Sequence, residues 1–163
     1  MKKLSIIIFS GFLMVLALHC NQQSTPDTTA ADTETIKGIN PIWFNSYNSG
    51  DVNSIVALYS EDAILSPPGA PLARGHSEIR EFLTKDIETS KTAGVTLNGN
   101  PATDAGVSDN LGWEWGTFTV KDKSGADVDQ GKYVTVYQKK DGKWLIIRDI
   151  WNSDGSVQTP EMK

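Results

Sequence analysis

Asp149 is the residue whose type and setting most suggest chemistry. It lies in the run Lys143–Asn152, where alternating apolar positions predict a strand. Counted by twos, it shares a face with Leu145, Ile147 and Trp151, while Arg148 points the other way. A carboxylate on an apolar face beside an indole is stripped of water, which raises its pKa and suits it to proton transfer as general acid or base. The same setting suits a structural ion pair or a hydrogen-bonded acid, with Arg74 as one partner, and a bulge before 149 would reverse its facing. Glu114, between Trp113 and Trp115, is the second acid. It is expected to face away from both indoles, toward Phe118, in a solvated or interface position. Arg74 and His76 open a helix; Arg74 either orients an acid or anionic ligand or bridges loop and sheet, and His76 reads as an exposed helix-start residue.

Other chemistries are excluded by what is missing. With one cysteine and two histidines, His19 and His76, there is no multi-cysteine or histidine-based metal site and no intrachain disulfide. No Gly-rich phosphate loop follows a strand, and there is no nucleophile elbow. No metal and no cofactor is expected. The chain has 163 residues, with 20 Asp+Glu against 15 Lys+Arg. Without residues 1–19 the balance is 13 basic to 20 acidic, a formal charge of −7. Such a domain lacks the clustered cations that nucleic acid requires, so no nucleic-acid partner is expected. At 39% apolar residues, with five tryptophans, the bulk must form one globular domain.

The N-terminus carries an address. Lys2-Lys3 precedes the uncharged, mostly apolar run Leu4–Leu18, too short for a membrane span but suited to a signal peptide, residues 1–19. Cys20 ends the run, and the polar stretch Asn21-Gln22-Gln23-Ser24-Thr25-Pro26 follows at once. The arrangement resembles a bacterial lipoprotein signal, which implies lipidation of Cys20 and a membrane anchor in the cell envelope. Asn21 lacks the aspartate that resembles an inner-membrane retention signal, which favours the outer membrane; plain secretion or a periplasmic location is the alternative. Residues 20–33 hold no large apolar residue and read as a flexible tether. The domain is expected at 34–153, with 154–163 as a C-terminal tail.

The elements that position these side chains follow from periodicity. Ile36, Ile39, Trp43 and Tyr47 recur at helical spacing. Pro41 either opens that helix behind an Asn40 cap or kinks a longer one. Asp51 caps a second helix carrying Ile55, Leu58 and Tyr59. Ala63–Ser66 is a brief strand ended by Pro67-Pro68-Gly69, and Ile79, Phe82, Leu83 and Ile87 mark a third helix. From Gly94 the period becomes two. Turns are expected at Asp109-Asn110 and Asp141-Gly142, with a longer loop over Asp122–Gly131. Trp113, Trp115, Thr117 and Thr119 share one strand face, and Tyr133, Thr135 and Tyr137 share another. Helices followed by antiparallel strands mean α+β, with three helices on one face of a curved antiparallel sheet.

The segments Tyr47-Asn48-Ser49-Gly50-Asp51, Leu58–Ala63, Pro67-Pro68-Gly69, Arg74-Gly75, Gly131-Lys132-Tyr133 and Asp141–Trp144, leading into Arg148–Ser153, resemble the nuclear transport factor 2-like superfamily. Within it they are most similar to the SnoaL-like and ketosteroid-isomerase-like branch of unknown function. The resemblance implies a cone-shaped α+β fold, a homodimer, and a conical pocket for a small apolar or amphipathic ligand. Trp43, Tyr47, Tyr59, Trp113, Trp115, Tyr133 and Trp151 would then line the pocket with Arg74, unless they are plain core or dimer-interface residues. The isomerase's catalytic groups fall at Ser66, Trp43 and near Thr135, none of which has the required chemistry, so no ketosteroid isomerase activity is expected. Three roles stay open: a binder without established catalysis, an isomerase- or cyclase-like enzyme using Asp149 as acid/base, and a protein-assembly module.

Overall fold

The computed structural model describes residues 29–155. The signal peptide, Cys20, most of the tether and the end of the tail lie outside the described residues. Helix α1 spans Thr29–Lys37 and α2 spans Ile39–Ser49. The break between them falls at Gly38, not at Pro41. Pro41 is the third residue of α2, where an N–H has no intrahelical acceptor and its absence is harmless. Helix α1 also begins inside the segment read as tether. Its anchor is polar: Asp32, one turn before buried Ile36, accepts hydrogen bonds from Lys139 Nζ at 2.7 Å and Trp144 Nε1 at 2.9 Å. A search for large apolar residues overlooks such a docking point.

Gly50, at φ 83°, ends α2 in a left-handed turn, and Asp51 accepts from Ser54 N at 3.0 Å to cap α3, Val52–Val56. Strand β1 runs Tyr59–Ser66 and β2 is Ala73–Arg74. Tyr59 therefore begins a strand instead of ending a helix. Helix α4, Gly75–Ala93, presents Ile79, Leu83 and Ile87 to the core. Strands β3 (Thr96–Gly99), β4 (Asp104–Ser108), β5 (Leu111–Lys121), β6 (Asp127–Lys140) and β7 (Lys143–Ser153) complete the chain. The last hairpin turns on Asp141 and Gly142, both at positive φ, as a two-residue connection requires. Strand β6 starts earlier than expected: the loop is only Asp122–Ala126, closed by Asp122 Oδ1 accepting from Ser124 N and Ala126 N.

The sheet order is β2-β1-β7-β6-β5-β3, with β4 also on β5. All neighbours are antiparallel except β1 and β7. The architecture is α+β, a curved, unclosed sheet with helices over its concave side. Two irregularities decide which residues face inward. In β7, Ile146 pairs with Tyr137 and Arg148 with Val136, leaving Ile147 as a bulge. Trp144 and Ile146 are thus buried before the bulge and Asp149 after it. Asp149 faces inward as expected, but Leu145 and Ile147 do not share its face. In β1, extra residues between Tyr59 and Ile64 bend the strand relative to β7.

Candidate functional site

One row of paired residues crosses the concave face: Glu114 on β5, Thr135 on β6, Asp149 on β7 and Leu65 on β1. Alternation puts all four on the same side, against α2 and α4. Glu114 is 1% exposed and Asp149 8%, so two acids sit in the interior, separated by a threonine. Burial of Glu114 reverses the expected facing of β5. Trp113 and Trp115 lie on the convex face, 42% and 37% exposed, and line no inner cavity. The inner face of β5 carries Gly112, Glu114, Gly116 and Phe118 instead. A Cβ on Gly116 would lie 2.4 Å from the Tyr133 hydroxyl oxygen, and one on Gly112 would lie 2.3 Å from Ile36 Cδ1. Glycine is needed here because large side chains from β6 and α1 lie flat across the strand.

Asp149 and Glu114 of this row, and Asp86 on α4, are held by hydroxyls. Tyr59 Oη donates to Asp149 Oδ2 at 2.6 Å and accepts from Trp43 Nε1 at 3.0 Å, while Thr135 Oγ1 donates to Asp149 Oδ1 at 3.2 Å. Tyr133 and Tyr137 donate to the two oxygens of Glu114, at 2.7 and 3.3 Å. Tyr47, stacked on Trp43 at 5.2 Å, donates to Asp86 Oδ2 at 2.6 Å and also meets Ser90 Oγ. Burial raises the Asp149 carboxyl to about 6; the Tyr59 and Thr135 hydrogen bonds pull it back, and nearby Glu114 pushes it up again. The four phenols are all pushed above their ordinary range, first by burial and then by the neighbouring acids. They act as donors, not as bases.

Beside Asp149 and Thr135 lies a cavity of about 50 Å³. Trp43, Phe44, Phe118, Tyr133 and Trp151 wall it, and Asn40, Asp86 and Leu97 complete the lining. An outer groove of about 590 Å³ between α2, the end of β3 and the following loop shares Asn40, Phe44 and Leu97 with it, so these three side chains stand between the two. Asn40 is 8% exposed; its Nδ2 lies near the Tyr133 hydroxyl yet makes no well-formed hydrogen bond. The inner volume admits a few waters or one small head group.

Of the residues singled out from sequence, Trp43, Tyr133, Trp151 and Asp149 line the cavity. Tyr47 and Tyr59 stand behind it as supports for Asp86 and Asp149. Arg74 is exposed on edge strand β2 and does not meet Asp149; its backbone N–H donates to Glu78 Oε2 at 2.8 Å, opening α4. Alternation along β2 buries Ala73 and so turns Arg74 outward. His76 is half-buried, with Nε2 2.9 Å from the Tyr59 carbonyl. Sequence reasoning missed Asn40, Phe44, Asp86, Leu97 and Phe118. For Phe118 and Glu114 a signal existed, since glycines two residues either side of Glu114 mark a face crowded by other side chains.

Comparison with known proteins places this geometry. The profile of the SnoaL-like domain family matches residues 43–147. No curated protein matches the chain. Solved structures share the fold at low identity. An NTF2-like protein with a cystatin-like fold from Novosphingobium aromaticivorans is 20% identical, with TM-score 0.70 over 78% of this chain and 86% of that one. A protein of unknown function with a cystatin-like fold from Nostoc punctiforme is 20% identical, with TM-score 0.69 over 80% and 96%. A ketosteroid isomerase-like protein from Erwinia carotovora atroseptica is 18% identical, with TM-score 0.60 over 77% and 98%.

Proposed function

The chain belongs to the SnoaL-like domain family, and from that premise we propose that it binds a small amphipathic molecule, with one end in the cavity over Asp149 and the rest in the outer groove. The observation that carries this reading is a buried acid at the base of a cavity walled by five aromatic rings. Ring walls reward apolar surface, and the polar base fixes the ligand's orientation. An inner volume of about 50 Å³ takes only a head group, so the body of the ligand must pass Phe44 into the groove. Mass spectrometry of ligand carried through purification tests this, together with tryptophan fluorescence on adding it back, since Trp43 and Trp151 line the site. A chain that purifies empty, and whose fluorescence no amphiphile alters, overturns the reading.

A second reading is favoured by the Asp149 carboxyl itself. A group raised to about 6 exchanges its proton near neutrality, which suits acid/base catalysis on a bound carbonyl compound. Asp149→Asn separates the two on the reaction, not on affinity: an enzyme loses turnover of a ligand the variant still takes up, whereas a binder shows no turnover with or without the acid. The domain is further proposed to be lipid-anchored through Cys20 in the cell envelope, tested by the mass of its N-terminal peptide. It is also proposed to be a homodimer. Trp115, Val134 and Ile150 are exposed and in register across the convex face, and this apolar row supports pairing there. Sedimentation equilibrium of the protein and of Val134→Lys tests it.

A further inference from the structure

Among the described residues, three acids on the concave side of the sheet, two buried and one part-buried, have no cation beside them. Asp86, Glu114 and Asp149 come from three different elements, α4, β5 and β7. Among the described residues, the ion pairs are Glu34–Lys37, Glu81–Lys85, Asp127–Lys121, Asp154–Lys132 and Asp32–Lys139, and none involves an interior acid of the row or Asp86. Among the described residues, no lysine, arginine or histidine lines the cavity. Hydroxyl donors satisfy lone pairs but supply no charge, and a buried carboxylate without a counter-charge keeps a desolvation cost that a bound cation would offset. The walls point the same way. Aromatic ring faces are negative and attract a cation, and carboxylates beside them strengthen the field.

Resting on the pocket-binding reading above, we propose that the head group held in the inner cavity is an organic ammonium, seated between Asp149 and Asp86 and enclosed by the rings of Trp43, Phe44, Tyr133 and Trp151. The Asn40 amide N–H, at the junction of cavity and groove, donates to an oxygen adjoining the ammonium. The ligand class is therefore an amino alcohol or similar amphiphile with a cationic head, not a neutral or acidic one.

Binding of such a head group depends on pH. Asp149 faces Tyr59 of β1, Thr135, Tyr133 and Tyr137 of β6, Glu114 of β5 and, across the cavity, Asp86 of α4 and Trp43 of α2. No group in that set is cationic, so protonating Asp149 removes attraction without adding a replacement.

Three probes of matched shape isolate the charge: choline, 3,3-dimethylbutan-1-ol and 3,3-dimethylbutanoate. Each is titrated into the purified full chain at pH 7.5 and pH 5, followed by tryptophan fluorescence and calorimetry. At pH 7.5 choline is expected to bind at least about tenfold more tightly than the alcohol, a difference of about 1.4 kcal/mol, with the butanoate weakest. The choline-to-alcohol ratio narrows at pH 5. In Asp149→Asn it is already narrow at pH 7.5, and Asp86→Asn gives the same direction of change if the first variant does not fold. Alcohol binding as tightly as choline overturns the ammonium assignment while leaving the pocket reading intact. Failure of all three probes at millimolar concentration overturns both.

Discussion

Replacing Asp149 with asparagine tests the physical account of the site most directly. The folded-state carboxyl is raised from its ordinary value of 3.8 to about 6, chiefly by burial. The sign follows: a raised carboxyl favours the folded state when protonated, so its contribution is fully present below about pH 4 and is lost as pH rises through 6. Moving a carboxyl from 3.8 to about 6 corresponds to about 3 kcal/mol, of which about 2 kcal/mol falls between pH 4 and 7. Asparagine has nearly the same shape and does not titrate, so subtracting its unfolding free energy from that of the wild type cancels most other groups. Urea unfolding from pH 4 to 8, read by tryptophan fluorescence, should show this difference falling by about 2 kcal/mol and then levelling above pH 7. At ordinary denaturant sensitivity that is a midpoint change on the order of 1 M urea. A difference that is flat over the range, or that grows with pH, refutes the reasoning, because it means the hydrogen bonds from Tyr59 and Thr135 outweigh desolvation.

Three other perturbations follow from the same geometry. Tyr59→Phe removes a donor to Asp149 and the acceptor of Trp43 Nε1, so it should cost about 2 kcal/mol and raise the Asp149 carboxyl above 6, as read by carboxyl-carbon NMR titration. Gly131→Ala places a Cβ 2.2 Å from the Asn152 carbonyl and 2.4 Å from Phe118 Cζ; because the first is backbone, the strand must shift, and a loss of about 1–3 kcal/mol is expected in the urea midpoint. Asp32→Ala strips the acceptor from buried Trp144 Nε1 and the partner from Lys139, so amide exchange in residues 29–37 should accelerate while the sheet core keeps its protection.

Local signals in the chain were sufficient for the architecture. Helical spacing of Ile79, Leu83 and Ile87, the Asp51 cap, and the Asp141-Gly142 turn each act over a few residues, and each stands where periodicity put it. Alternation also identified the inward face of β6, with Tyr133 and Thr135 together. It failed on β5 because apolar character does not distinguish the two faces of a sheet whose outer side carries Trp113, Trp115 and Val134. There the glycines were the better guide than the tryptophans.

What the fold alone decided are the meetings between distant segments. The bulge at Ile147 lets Asp149 stay inside while its predecessors switch faces. The pairing of β7 with β1 brings Tyr59 within 2.6 Å of an acid 90 residues away, and α4 carries Asp86 to Tyr47. Residue type announces that an aspartate or a phenol can take part in chemistry. Whether it sits in water or beside another acid depends on strand register and helix docking, and these are set by the burial of the whole core, not by neighbours in sequence.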